Sequence, residues 1–112
     1  MVTPSIRLLA YASPATATLD QACQAERLVA ALAAFQCDFV ELNFAGVDGV
    51  STEFSELFVL LAEEKLAETW LTPHNYEISC NRLVKRLLSR LRRQREQAWA
   101  EGCERFSTGR HP

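Results

Sequence analysis

Apolar positions along the chain switch between short clusters and helical spacing, and the switches divide it into alternating elements. Ser5 to Tyr11 reads as a first strand, followed by a small-residue loop with Pro14 as its stop. From about Leu19 to Phe35 the positions Leu19, Ala22, Cys23, Leu28, Val29, Leu32, Ala33 and Phe35 recur at helical spacing, with Thr18 and Asp20 as start signals. Phe39 to Ala45 is dominated by Val, Leu and Phe, which predicts a central strand buried on both faces. Gly46 and Gly49 break that run. Ser51 and Thr52 are good N-cap residues, and Glu53 and Glu56 suit a first turn, so a helix begins at Ser51 or Thr52 and ends near Glu68. Its core face is Phe54, Leu57, Phe58, Leu61 and Ala62, widened by Val59 and Leu60.

Thr69 to Asn75 contains Pro73 and reads as a connection, although Trp70 and Leu71 are too apolar to lie fully in water. Tyr76 to Cys80 is a short strand candidate ending at Asn81, a good N-cap. Leu83, Val84, Leu87, Leu88 and Leu91 form one face of a last helix, expected to run to about Ala100 before Gly102 ends it. The order β-α-β-α-β-α predicts an α/β fold, a small parallel or mixed β-sheet packed against helices. Strand order stays open, and short extra strands fit within 12–18 or 69–75.

A length of 112 residues suits one domain, drawn over residues 1–106 with 107–112 as a flexible tail. The four cysteines, Cys23, Cys37, Cys80 and Cys103, are spread singly with no Cys-x-x-Cys pair, which argues against a zinc site or a redox motif. Reduced thiols are the simpler reading. No apolar run is long enough to span a bilayer and no basic leader opens the sequence, so the expectation is a soluble, cytoplasmic protein without membrane contact. Charge is unevenly placed: residues 1–68 carry 3 basic and 10 acidic groups, and residues 69–112 carry 9 and 4. That asymmetry is the main compositional hint about partners.

One stretch carries a family resemblance. Leu42-Asn43-Phe44-Ala45-Gly46-Val47, followed by Val50-Ser51-Thr52-Glu53-Phe54-Ser55-Glu56-Leu57, resembles the signature of STAS-like domains. That signature is an apolar strand ending in Asp-Phe-x-Gly-Val and then a hydroxyl-rich helix start with Phe and an acidic residue. The Gly-Val, the hydroxyl pair, the Phe and the acidic residue are kept. Asn43 stands where the family usually has Asp, and Glu53 where it usually has a hydroxyl. The resemblance implies a small sheet with helices against it, in a non-catalytic, bacterial regulatory module that binds another protein. A histidine-kinase-type ATPase or a signalling complex is the implied partner. It also implies a phosphorylatable hydroxyl at Ser51 or Thr52, with Thr52 the closer match.

The candidate interaction surface around that hydroxyl is Asp48, Ser51, Thr52, Glu53 and Ser55. A phosphate there would add nearly two negative charges at a helix N-terminus; plain N-capping is the competing reading. Gly46, Asp48 and Gly49 lack the Gly-x-x-x-x-Gly-Lys pattern of a phosphate loop, so no nucleotide or other cofactor is expected. Cys80, near His74, stands at a predicted helix start that can activate a thiol, yet no third group completes a catalytic set, so a structural thiol and no enzyme are expected. No metal ligand set is expected either. Arg82, Lys85, Arg86, Arg90 and Arg93, with Arg92 and Arg95, are placed on the outer side of the last helix. That basic surface supports the alternative function, nucleic-acid binding; a solvated face or an acidic protein partner, including the acidic helix of a second copy, ranks ahead of it. Trp99, Cys103 and Phe106 add apolar groups that either fold back or form the seam of a homodimer.

Overall fold

A computed structural model describes the backbone of residues 3–110 and the side chains of residues 3–101. Strand β1 (Ser5–Arg7) leads through a 3-10 turn (Leu8–Tyr11) to the short β2 (Thr18–Leu19) and helix α1 (Ala22–Phe35). β3 (Phe39–Asn43), the short β4 (Gly49–Val50) and α2 (Thr52–Lys65) follow. β5 (Trp70–His74), a second 3-10 turn (Ile78–Cys80) and the long α3 (Asn81–Arg110) complete the chain. The fold is α/β. β1, β3 and β5 form a parallel sheet in that order, and β2 pairs with β4 in a separate parallel ladder.

Successive strands are added in one direction across the main sheet, so crossovers of one hand set α1 and α2 on the same side of it. α3 packs on α2 and β5. The consequence shows in the strands. Ile6, Val40, Leu42 and Leu71 point into one core with Leu28, Leu32, Phe54, Phe58, Leu83 and Leu87 from the helices. The alternate residues Ser5, Arg7, Phe39, Glu41, Asn43, Trp70, Thr72 and His74 are half-buried or exposed. β3 is therefore buried on one face only, which corrects the expectation of burial on both; a sheet clothed on one side makes the strand alternate.

Other boundaries differ for identifiable reasons. β1 stops at Arg7 because its partner stops at Asn43, and Leu8–Tyr11 coils into a turn that buries Leu8. The segment expected to be a connection is β5, in which Pro73 is tolerated because β5 is an edge strand. β5 fills the third place in the sheet, so Tyr76–Cys80 forms no strand and ends in a 3-10 turn. Leu19 belongs to β2, and α1 starts only at Ala22, where the Gln21 N–H donates to Gln24 Oε1 at 2.8 Å. Gln24 is itself buried and donates to Ser13 Oγ and the Thr18 carbonyl, tying α1 to the preceding loop.

α2 ends at Lys65, short of Glu68. α3 continues through Gly102 to Arg110, so residues 107–110, expected as tail, lie within its bounds, while His111 and Pro112 lie outside the described residues. At 30 residues α3 is about 45 Å long at 1.5 Å per residue. The molecule measures 64 × 26 × 23 Å. Among the described residues no helix is long and apolar enough to cross a membrane.

Candidate functional site

The carboxyl ends of parallel strands are where α/β sheets collect their binding groups, because loops and helix N-termini converge there. Here the β2–β4 ladder reinforces that edge: Asp48 N–H donates to the Ala17 carbonyl and Ser51 N–H to the Leu19 carbonyl, 2.8 and 2.9 Å. The starts of α1 and α2 are thereby set side by side. The second 3-10 turn packs against β4 and brings the start of α3 to the same edge.

The two hydroxyls of the helix start have different jobs. Ser51 is the N-cap of α2, its Oγ accepting from the Phe54 N–H at 3.0 Å. Its carbonyl accepts from the Ser55 hydroxyl at 2.8 Å. Thr52, the first residue of the helix, is half-buried, and its Oγ1 accepts from Arg82 Nη1 of α3. Its hydroxyl thus stands at an open helix tip beside a guanidinium. Glu53 is exposed in the first turn, where the helix dipole favours a carboxylate.

Ser55 departs from the expected surface. It is fully buried, so it supports the cap and is out of reach of a partner. Asp48 is exposed and lines, with Gly46, Val47, Glu77, Ile78 and Ser79, an open cleft of about 400 Å³. Ile78 is 85% exposed at its rim, an apolar side chain the sequence reading did not single out. It lies one helical turn ahead of Arg82 in sequence, which is the only signal that could have linked it to the site.

Cys80 lies beneath the cleft, fully buried, with its thiol 3.8 Å from the Val47 carbonyl. Burial pushes the thiol above its ordinary value, and nearby Glu77 and Asp48 push the same way. A thiol poised for nucleophilic attack would be shifted down. His74 faces away from it, in the solvent-facing row of the sheet with Arg7 and Asn43. Among the described residues no three His, Cys, Asp or Glu side chains gather as a metal site would require.

The basic surface is smaller than the sequence predicts. Arg90 is 2% exposed and belongs to the interior, a correction to its placement on the outer face. It donates to the carbonyls of Leu66 and Thr69, while its Nε lies 3.6 Å from Glu63 Oε1, an ion-pair distance too long for a hydrogen bond. Burial pushes its pKa down, opposed by Glu63. Arg93 is exposed but pairs with the same carboxylate at 3.0 Å, and Arg82 is held by Thr52. Lys85 and Arg86 remain exposed beside Val59 and Ser89 in a shallow groove between α2 and α3. Leu88, expected on the core face, is 44% exposed. The side chains of Cys103 and Phe106 lie outside the described residues. Compared with family models, with curated proteins and with solved structures, the chain matches none.

Proposed function

We propose that this chain is a non-catalytic regulatory module of STAS-like type that binds another protein through the edge formed by Asp48, Thr52, Ile78 and Arg82, and that phosphorylation of Thr52 switches the contact. The observation that carries the reading is the Arg82–Thr52 contact: of the two hydroxyls at this helix start, Ser51 is spent on the cap and Thr52 stands beside a cation. A phosphate on Thr52 would carry close to two negative charges within reach of that guanidinium and of the free N–H groups of the first turn. Beside Glu53 in the same turn, that charge would outweigh the cation of Arg82, so the surface shown to a partner there would turn from mixed to acidic. Ile78 supplies the apolar anchor that protein interfaces concentrate their energy on. The likeness of residues 42–57 to the STAS-like signature supports the same assignment, as does the α/β architecture. A cytoplasmic, bacterial signalling role follows from that likeness, and the exposed free thiols of Cys23 and Cys37 suit a reducing compartment.

The test is capture of protein partners by wild type, Thr52→Ala, Thr52→Glu and Ile78→Asp, with phosphosites mapped by mass spectrometry. A partner held by wild type and Thr52→Ala, and lost by Thr52→Glu and Ile78→Asp, supports the reading. Identical capture by all four chains, with no phosphate on Thr52, overturns it.

A further inference from the structure

α3 turns a basic face to solvent. Positions 81–95 carry Arg or Lys in every turn and no acid. Burial removes Arg90 from that face, Glu63 engages Arg93, and Thr52 engages Arg82. Lys85, Arg86, Arg92 and Arg95 stay exposed, and among the described residues none of them has a carboxylate within ion-pair distance.

The helix adds an aromatic group to these cations. Because α3 stays helical past Ala100, Lys85, Arg92 and Trp99 recur two turns apart along one stripe, with Leu88 and Arg95 beside it. Trp99 is 73% exposed, and with Arg92, Arg95 and Glu96 it lines a shallow groove of about 390 Å³. An open indole thus stands in one groove with two guanidinium-bearing side chains.

What the face lacks decides its occupant. A partner helix draws its affinity from apolar anchors at i, i+3 or i+4, and i+7. Here Leu88 and Trp99 lie 11 residues apart, about 16 Å along the axis at 1.5 Å per residue, with Arg92 and Arg95 between them. The attraction on offer is to a chain of negative charges that also carries a flat group for the indole. A strand of nucleic acid supplies both, phosphates for the cations and an unstacked base for the ring. A duplex keeps its bases stacked and would engage the cations alone.

We propose that this face of α3 binds single-stranded nucleic acid, with phosphates along Lys85, Arg92 and Arg95 and a base stacked on Trp99. Glu96 is the one acid lining the groove and opposes the phosphates. The chain as a whole carries a net charge of -2, so the contact is confined to α3 and weakens steeply with salt.

Trp70→Phe leaves Trp99 as the sole tryptophan, so its emission reports the contact. An oligothymidylate of about 12 nucleotides, within the site range of single-strand binders, is titrated at about 50 mM salt and above. The expected result is quenching of Trp99, and weaker binding of a duplex of the same length. Trp99→Ala, followed by anisotropy of a labelled oligonucleotide, should weaken binding about tenfold and leave the salt dependence as it was. Arg92→Ala and Arg95→Ala should each weaken binding and lower the log–log salt slope by about 0.7, one phosphate contact apiece, while Glu96→Gln tightens it. Circular dichroism checks that each variant is folded. No quenching and no anisotropy change up to about 100 µM protein, a range that reaches even weak non-specific affinities, overturns the proposal. So does a duplex bound as tightly as the single strand. Polyglutamate or phosphatidylglycerol vesicles bound as tightly as the oligonucleotide overturn it in favour of a protein or a membrane surface.

Discussion

The guanidinium of Arg90, on α3, donates to the carbonyl oxygen of Leu66 at the end of α2. The Leu66 carbonyl already accepts from the Thr69 N–H at 2.9 Å, and a side chain 24 residues away supplies a second donor to the same oxygen. A second bond reaches Thr69, so Arg90 fixes the whole turn between α2 and β5. Arg90→Met should lose about 1–2 kcal/mol, because two charge-assisted bonds go while the Leu66 carbonyl keeps the Thr69 N–H and the Thr69 carbonyl keeps Gln94 Nε2. Glu63→Gln should lose less than about 1 kcal/mol, since that carboxylate is largely solvated. Urea unfolding of the two variants separates the carbonyl bonds from the ion pair; equal losses would show that the pair, and not those bonds, is what matters.

The division of labour between Ser51 and Thr52 predicts opposite profiles for two adjacent alanine variants. Ser51→Ala removes the acceptor for the Phe54 N–H and should cost about 1 kcal/mol, the usual worth of a hydroxyl cap. Thr52→Ala loses only a partly solvated contact with Arg82 and should leave the unfolding midpoint within about 0.5 kcal/mol of wild type. Thermal melts measure both.

The helix start at Ser51 was legible because capping chemistry is local: the donor, the acceptor and the following acidic turn sit within a few residues. The contact that distinguishes Thr52 was not, since Arg82 lies 30 residues on and only packing brings it near. The parity of β3 was present in the letters, with Val40, Leu42 and Phe44 alternating against Glu41 and Asn43, but the apolar count overshadowed the period. β5 was hidden by Pro73, which marks an edge as readily as a break. Arg90 sits at helical spacing from Leu83 and Leu87, so the pattern pointed inward while its charge pointed outward. Ser55 likewise shares a face with Phe54 and Phe58.

Gly46 should resist substitution for two reasons that add. Its φ of +85° lies in the region an L side chain rarely adopts, and an added Cβ would stand 2.8 Å from Leu9 Cδ2. Leu9 is partly exposed and flexible at its tip, so it can move aside, and the backbone conformation carries most of the cost. Gly46→Ala should destabilise by about 1–2 kcal/mol. Leu9→Ala in the same background relieves the clash but not the strain, and should recover less than half of the loss by chemical denaturation.

Cys80 makes a prediction about alkaline pH. Burial raises its thiol pKa above the ordinary 9.0, so the folded protein holds this proton after the unfolded chain has released it. Stability therefore falls as pH rises through about 9, and the decline continues until the folded thiol itself ionises. Cys80→Ala removes that slope, so the stability difference between wild type and variant should shrink between pH 8 and about 10 if the substitution costs only a small cavity at neutral pH. Alkylation gives an independent reading: Cys23 and Cys37 are exposed and should react with iodoacetamide in the native protein, while Cys80 reacts only on unfolding. Native labelling of Cys80 at neutral pH would mean a thiol accessible and ionised in the fold, and the closed floor of the cleft would have to be given up.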